Sequence, residues 1–177
     1  MLGTLPWVAA PTRTDLLAPP VAAALDRSAG DRSEVLVAPI DPGVADTAAF
    51  CEAYGVTLDV SANCVVVAGR RSGETRLAAC VVLATTRADV NNLVRRRLDA
   101  RKASFAPMDL AVAETGMEYG GITPIGLPAD WPLLIDAAVV ARPEVIIGSG
   151  LRRSKLALPG AWLTGIPGAE VVDGLGI

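Results

Sequence analysis

The sequence has 177 residues, of which 51% are hydrophobic and 20% are charged, a composition that excludes a disordered chain and allows one domain with a buried core. The formal net charge of −3 excludes a protein that binds nucleic acid over its whole surface, so any RNA contact must be local. The absence of histidine excludes Ser-His-Asp and Cys-His catalysis and histidine-based metal sites.

Three sequence features bear on the compartment. The uncharged runs are too short, or too often interrupted, to cross a membrane as a helix. The first eleven residues lack the positive region of a signal peptide. The cysteines, Cys51, Cys64 and Cys80, lie in apolar surroundings and are odd in number, which predicts buried free thiols in a reducing environment. We therefore expect a cytoplasmic protein with no membrane and no DNA partner.

The first half of the chain is predicted to contain two helices and three strands, each ended by proline, glycine or a polar turn. An irregular arm precedes the first helix, and together they occupy residues 1–32. Asp46 is a plausible N-cap of the second helix, and Gly55 is a plausible stop. The helices are predicted at 19–27 and 46–55, and the strands at 35–38, 60–68 and 77–84, the last two joined by a hairpin turn.

The second half alternates helices and strands irregularly. Thr86 and Asp89 resemble a capping box, although aspartate replaces the usual Glu or Gln. Helices are predicted at 86–98, 107–114 and 159–163, and extended segments at 104–105, 133–140, 144–147 and 170–172. We expect a single mixed α/β (α+β) domain over residues 1–177, with a largely antiparallel mixed sheet or a partly closed barrel flanked by helices.

One stretch between two apolar segments is rich in glycine and proline. Residues 116–128 hold four glycines and two prolines in thirteen positions. Such a loop is stiff and shaped, and the amides of residues 120–123 could point at an anion or a carbonyl. The alternative is a pair of hairpin turns with no ligand.

A basic face is predicted on the helix at 86–98. It carries Arg95, Arg96 and Arg97, and is followed by Arg101 and Lys102. One interpretation is a solvated surface. The other is a phosphate contact for an RNA arm, because local clusters of Lys and Arg bind phosphate.

The loop resembles that of a known family. Gly120 to Pro124 has the form G-x-x-x-P and is followed by Ile-Gly, as in the YbaK/EbsC aminoacyl-tRNA deacylases, which are related to the editing insertion of bacterial prolyl-tRNA synthetases. Further segments agree with that family in order and spacing, over roughly residues 33–165. They are 46–55, 62–67, 86–98, 133–136 and 146–155.

The sequence departs from this family in the pocket strand. The family has lysine followed by a small hydroxyl residue, and these positions fall on Asn63 and Cys64. The resemblance implies that the lysine positions the aminoacyl end of the tRNA near the scissile ester. Asparagine forms hydrogen bonds but brings no charge. Because strand side chains alternate, Cys64 is interpreted as a core residue facing away from Asn63, with a thiol nucleophile as the alternative.

The resemblance also implies the candidate site residues. Asn63 and the loop residues Gly120, Gly121, Ile122, Thr123 and Pro124 form the predicted catalytic set. The predicted substrate-binding set is Asp136, Gly148, Ser149, Gly150, Arg152 and Lys155. Asp136 could equally be a structural hydrogen-bond acceptor, and Arg152 and Lys155, assigned to tRNA phosphates, could equally be solvated charges. No metal site and no cofactor is predicted.

These observations lead to two hypotheses of function. The first is an aminoacyl-tRNA deacylase that acts in trans on a mischarged tRNA, for example tRNA(Pro) carrying alanine or cysteine, with transient contact to a synthetase. The second is a non-catalytic module that binds tRNA or an aminoacyl ligand and has lost the pocket lysine. A metal-dependent hydrolase is poorly supported, because no ligand set has the required spacing. The oligomeric state is not predicted.

Overall fold

The structure, a computed structural model, describes residues 2–177. The chain forms two β-sheets flanked by helices. The strands are β1 (Val8–Ala9), β2 (Leu36–Pro39), β3 (Ala62–Arg71), β4 (Glu74–Leu83), β5 (Lys102–Phe105), β6 (Leu133–Asp136), β7 (Val145–Gly148), β8 (Ser154–Leu158) and β9 (Ala169–Val172). The helices are α1 (Pro19–Arg27), α2 (Thr47–Tyr54), α3 (Arg95–Arg97, preceded by a π-helical turn Val90–Val94), α4 (Met108–Thr115) and α5 (Ala137–Val140).

The two sheets have different pairing. The four-stranded sheet has the order β1-β2-β8-β7 and is antiparallel throughout. The five-stranded sheet has the order β5-β3-β4-β6-β9, and its β4-β6 and β6-β9 pairs are parallel. A parallel bridge between Ser61 and Ile146 connects the start of β3 to β7. Within residues 2–177 the sheets do not close into a barrel, so the expected mixed, largely antiparallel fold is confirmed without the barrel.

The buried apolar side chains form three clusters that define the layers. The largest lies between the sheets and includes Val37 and Leu156 of one sheet and Val81 and Ile135 of the other. A second covers the outer face of the five-stranded sheet beneath Val94. The third packs α2 on the outer face of the four-stranded sheet. The cavity described below opens where β3 and β7 meet, at the edge of the central cluster.

The segment before β2 is part of this core rather than a free arm. Leu16, Leu17 and Val21 are buried in the central cluster. The amide of Ala18 donates to the carbonyl of Ser149 at 3.1 Å, which ties the segment to the loop between β7 and β8.

Several predicted boundaries are correct, and their signals have the expected geometry. Gly55 and Gly116 both have φ +66 and end α2 and α4 in the left-handed conformation. The hairpin turn is shorter than predicted, because Ser72 and Gly73 both adopt positive φ and the strands continue to residue 71 and from residue 74. A two-residue turn of this kind matches the twist of the flanking strands.

Two predicted elements were wrong in extent. The predicted strand at 133–140 ends at Asp136, whose carboxylate accepts from the amide of Ala138 at 2.7 Å and so starts α5. The predicted helix at 86–98 begins only after Asp89, which accepts from the amides of Asn92 and Leu93. The Thr86 hydroxyl instead donates to the carbonyl of Leu83 at 3.1 Å.

Two strands were missed by the sequence analysis, the two-residue β1 within the predicted irregular arm and the longer β8. β8 follows the glycine segment directly and lies between β2 and β7, with all five residues buried. The apolar run Leu156–Leu158 is typical of a strand. The preceding Arg152, Arg153 and Lys155 led to the interpretation of this segment as a charged surface. The strand therefore places Lys155 inside the fold.

Candidate active site

A cavity of about 280 Å³ lies between the glycine loop, the start of α2 and the pocket strand β3. Five of the predicted site residues line it: Asn63, Gly120, Ile122, Gly148 and Lys155. The other lining residues are Ala45, Asp46, Thr47, Ala62, Cys64, Val65, Val66, Ala106, Ala111 and Tyr119. The cavity thus has a wall made by side chains and a wall made by a loop backbone.

The side-chain wall is held at two points by residues at the start of α2. The hydroxyl of Thr47 donates to Oδ1 of Asn63 at 2.6 Å. The Nζ of Lys155 donates to the carbonyl of Ala45 at 3.1 Å and lies 5.2 Å from the centre of the Phe50 ring. Because the Asn63 oxygen is already used, its amide group is the part that can donate to a ligand.

Two residues at the start of α2, Asp46 and Thr47, also belong to the cavity wall. Asp46 occupies the N-cap position of α2, but its side chain makes no capping hydrogen bond. It lines the cavity together with Thr47. Thr47 was missed as a site residue, and the only sequence signal was its place directly after a predicted N-cap.

The loop wall presents backbone amides. The amide of Gly121 donates to the carbonyl of Glu118 at 2.9 Å and is therefore not available to a ligand. Within residues 2–177, the amides of Gly120 and Ile122 have no protein acceptor, and both residues line the cavity. The amide of Gly121 is thus removed from the predicted run 120–123, whereas Gly120 and Ile122 keep an unused amide at the cavity.

The loop wall depends on close contact between two glycine segments. A Cβ on Gly148 would lie 2.3 Å from the carbonyl oxygen of Gly121 and 2.7 Å from that of Ile122. A Cβ on Gly121 would lie 2.6 Å from the backbone of Leu151. The amide of Gly150 donates to the carbonyl of Gly121 at 2.8 Å. Gly121 and Gly148 are both needed, because backbone atoms of the facing segment occupy the place where a side chain would lie.

Arg152 stabilises the contact between the two glycine segments through hydrogen bonds. Its guanidinium donates to the carbonyls of Tyr119 and Pro42, each at 3.1 Å, and its amide donates to the carboxylate of Glu118 at 2.6 Å. The side chain bridges the glycine loop and the turn before α2. The structure therefore uses Arg152 within the protein, whereas the sequence analysis assigned it to tRNA phosphates.

Several predicted residues do not line the cavity. Asp136 is buried on the five-stranded sheet, where it accepts from the amides of Ala138 and Gly176, as the structural alternative predicts. Ser149 is buried and its hydroxyl lies 2.7 Å from that of Ser154. The members of the predicted site that lie outside the lining are Gly121, Thr123, Pro124, Asp136, Ser149, Gly150 and Arg152.

The cysteines match the sequence prediction only in part. Within the described chain all three are free thiols; Cys51 and Cys80 are buried, but Cys64 is half-buried and lines the cavity. Burial, with a smaller contribution from Cys80, raises the pKa of the Cys64 thiol far above its usual value. The thiolate is the nucleophilic form, so Cys64 is an apolar wall residue at neutral pH.

Lys155 has an unusual environment for a lysine. Only 8% of it is exposed, and burial lowers its pKa, an effect opposed by Cys51 and Asp46 and supported by Arg152. It lines the cavity rather than the outer surface. This burial does not fit the alternative of a solvated charge, and the contact with tRNA phosphates stays a prediction.

Within residues 2–177, no group of three or more His, Cys, Asp or Glu side chains could hold a metal ion. No helix among these residues is both long and apolar enough to span a membrane.

Comparison with known proteins places the chain in a family. Residues 41–164 match the family model described as the Aminoacyl-tRNA editing domain. The fold is similar to that of a proposed trans-editing enzyme for prolyl-tRNA synthetase, with a TM-score of 0.73 and 21% identity over 88% of this chain and 94% of that one.

Two further solved structures share the fold. A protein used in grafting epitopes onto scaffolds has a TM-score of 0.73 and 22% identity, over 88% of this chain and 95% of that chain. A protein called APE2540 has a TM-score of 0.66 and 22% identity, over 78% of this chain and 86% of that chain. At these identities the neighbours show the fold alone. The family match spans most of the sequence and includes the pocket strand, the glycine loop and β8, and the chain belongs to the aminoacyl-tRNA editing domain family.

Proposed function

We propose that this protein is an aminoacyl-tRNA deacylase that hydrolyses, in trans, the ester between a wrong amino acid and the 3′ end of a tRNA. One observation carries the proposal. Gly120 and Ile122, whose amides have no protein acceptor among the described residues, line the same small cavity as two side-chain donors, Asn63 and Lys155.

The amides of the loop supply the chemistry that ester hydrolysis needs. When water attacks the ester carbonyl, negative charge develops on its oxygen, and preorganised N–H donors stabilise that charge. The loop holds its amides rigidly through the glycine contact and Arg152, so little reorganisation is needed. Removing one such donor typically lowers the rate by about 10²–10³.

Asn63 holds the substrate end on the opposite wall. Thr47 fixes its oxygen as an acceptor, so its NH₂ group donates to a ribose hydroxyl or to the amino acid carbonyl. The new carbon–oxygen bond forms from water, the ester carbon–oxygen bond breaks, and the proton passes to the departing ribose oxygen. With no histidine in the chain, the attacking water is activated by the substrate itself or by a backbone carbonyl.

The apolar lining of the cavity suits a small, uncharged amino acid. The cavity volume of about 280 Å³ is close to the lower end of ligand pockets, about 300–1,000 Å³. Val66, Ala111 and Cys64 supply an apolar lining. We propose alanine or cysteine on tRNA(Pro) as the substrates to test first.

The direct experiment is a deacylation assay with purified protein and a panel of mischarged tRNAs, including Ala-tRNA(Pro) and Cys-tRNA(Pro), with correctly charged Pro-tRNA(Pro) as the control. We expect hydrolysis of at least one small mischarged substrate and none of the correct one. Wild-type protein that leaves the whole panel intact at high concentration would exclude the deacylase.

The second candidate, a non-catalytic binding module, is favoured by one observation. The pocket strand carries Asn63 where the resemblance places a lysine. In that case both wild type and Asn63→Ala bind an aminoacylated tRNA, and neither hydrolyses it.

A further inference from the structure

Lys155 is the one buried cation of the cavity wall among the described residues, and no carboxylate among them pairs with its charge. Lysine is almost never fully buried unless it is paired. Among the described residues, Lys155 forms no salt bridge. An ammonium has three N–H donors, and its protein acceptor here is the carbonyl of Ala45. A lysine that only filled space would be replaced at lower cost by methionine.

The strand register places Lys155 close to the position of the missing lysine. Ser61 of the segment before β3 bridges Ile146 of β7 in parallel, which brings the start of β3 beside β7, and Asn63 and Gly148 each follow two residues further along the chain. Gly148 pairs with Lys155 on β8. All three residues line the cavity. Lys155 on β8 and Asn63 on β3 therefore lie on either side of β7, which carries Gly148.

Gly148 has no side chain between them, and the glycine loop packs directly on its backbone. A Cβ on Gly148 would lie 2.3 Å from the carbonyl oxygen of Gly121. Asn63 and Lys155 therefore reach the same cavity with no side chain at Gly148 between them.

We infer that Lys155 supplies, from β8, the ammonium that holds an oxygen of the aminoacyl-ribose end of the substrate, in place of a lysine at the position of Asn63. This inference rests on the proposed function and deepens it. The pocket keeps a positive charge but receives it from another strand, with Asn63 as a neutral donor beside it.

The contacts around this ammonium leave N–H donors unused. Burial lowers the pKa of Lys155, and Cys51 and Asp46 on the α2 side oppose that shift. The ring of Phe50 covers another side of the ammonium at 5.2 Å. The protein groups near Nζ are thus a carbonyl, a ring and distant charges, which leaves donors for a substrate oxygen.

The test measures hydrolysis and binding separately. Hydrolysis is measured as kcat and KM on the best substrate of the panel. Binding is measured as Kd for aminoacyl-adenosine in which an amide replaces the ester and cannot be cleaved under the assay conditions. The variants are Lys155→Met, which removes the charge at similar volume, and Lys155→Met combined with Asn63→Lys, which moves it to β3. Arg27→Met, an exposed cation at the end of α1, is the control for loss of one positive charge.

We expect Lys155→Met to raise the Kd of the amide analogue and lower kcat/KM by about 10- to 100-fold, the scale of a charge-assisted hydrogen bond. The double variant with Asn63→Lys should have a kcat/KM at least tenfold higher than that of Lys155→Met. Arg27→Met should have the kcat/KM and Kd of wild type. A purely structural role for Lys155 predicts no recovery when lysine is placed at residue 63, and that result would overturn the inference.

The proposed function and this inference can fail separately. If wild type hydrolyses the panel and Lys155→Met matches it in kcat/KM and Kd, the inference is wrong and the deacylase stands. If wild type binds the analogue but cleaves nothing, the deacylase is wrong and the Kd of the variants alone decides the inference. If wild type neither binds nor hydrolyses, both are wrong.

A measurement on the wild-type protein tests the inference even if the variants do not fold. Lys102 and Lys155 are the two lysines of the sequence, and Lys102 is exposed. In protein with ¹⁵N-labelled lysine, the side-chain resonance of Lys155 should shift when the amide analogue is added, and that of Lys102 should not. Two unmoved resonances at saturating analogue would contradict contact with the ammonium.

Discussion

The two walls of the cavity are built on different principles. The loop wall is made of backbone, and its shape depends on side chains that are absent, at Gly121 and Gly148. The opposite wall is made of side chains, each fixed by one contact at the start of α2, Asn63 by Thr47 and Lys155 by Ala45.

This difference determines how each wall responds to mutation. A side chain added to the loop wall meets backbone atoms that cannot rotate away, so the whole contact shifts and the amides lose their alignment. A side chain removed from the other wall deletes one hydrogen bond and leaves the rest in place. We therefore expect steep losses on the loop wall and graded losses on the side-chain wall.

The largest effect is expected from Gly148→Ala. Its Cβ would lie 2.3 Å from the carbonyl oxygen of Gly121, which displaces the amides that stabilise the oxyanion. We expect hydrolysis to fall by more than about 100-fold, the scale of a lost oxyanion donor, together with a lower melting temperature. Gly165→Ala is the matched control, because a Cβ there meets nothing within 4 Å. Equal activity of the two variants would refute the close contact as the basis of the loop wall.

A smaller effect is expected from Asn63→Ala. It removes one neutral hydrogen bond to the substrate and should lower kcat/KM by roughly tenfold. Thr47→Val should reproduce part of this loss, because the hydroxyl that orients the Asn63 amide is gone. In the double variant the losses should not add, since both act through one amide. Fully additive losses would show that Thr47 and Asn63 act independently.

The salt dependence of tRNA binding distinguishes charged residues that bind RNA from charged residues that support the loop. Arg96 is exposed, and its Nε donates only to the nearby carbonyl of Asn92. If the face formed by Arg95, Arg96 and Arg97 contacts phosphate, Arg96→Ala should flatten the salt dependence of tRNA binding by about 0.7–0.9 in the log–log slope. Arg152→Ala should instead lower hydrolysis with the slope unchanged, because Arg152 is bound to carbonyls of the protein. If Arg152→Ala flattens the slope and Arg96→Ala leaves it unchanged, Arg152 rather than Arg96 contacts the RNA.

The smallest effect is a pH dependence of stability caused by Lys155. Burial lowers its pKa in the folded protein below the ordinary value of 10.5, which the unfolded chain keeps. Between these two values the unfolded state binds more protons, so raising the pH favours the folded state. The free energy of unfolding of wild type, relative to Lys155→Met, should therefore rise between pH 7 and pH 10. Each unit of pKa shift contributes about 1.4 kcal/mol, and denaturant titrations at both pH values measure it. A constant difference would show that the pKa is not lowered.

The sequence predicted the parts of the site that have local signals. Gly116 and Gly55 mark helix ends by conformation alone, and the Gly120–Pro124 loop is recognisable by its spacing. These features depend on neighbours in the chain and are readable without the fold. The strand pair β3-β4 was predicted for the same reason, from its apolar runs and the turn between them.

The roles of the charged residues could not be predicted in the same way. Arg152 and Lys155 are three residues apart and look alike in the sequence, yet one bridges two loops and the other is buried beside Phe50. Their environments come from Pro42 and Ala45, 110 residues away in the chain. Asp136 shows the converse case, because its capping of α5 was a local signal that was overlooked when the resemblance assigned Asp136 to the site.

The attachment of the N-terminal segment to the loop after β7 has a consequence for the order of folding. The Ser154 hydroxyl donates to the carbonyl of Leu16, and Arg153 donates to that of Asp15, with 138 residues between the partners in each case. During synthesis Asp15 and Leu16 therefore leave the ribosome long before Arg153 and Ser154 exist, so this attachment is among the late contacts of the nascent chain. Contacts of such large sequence separation slow folding, so we expect the N-terminal segment to be fixed to β8 only after synthesis is nearly complete.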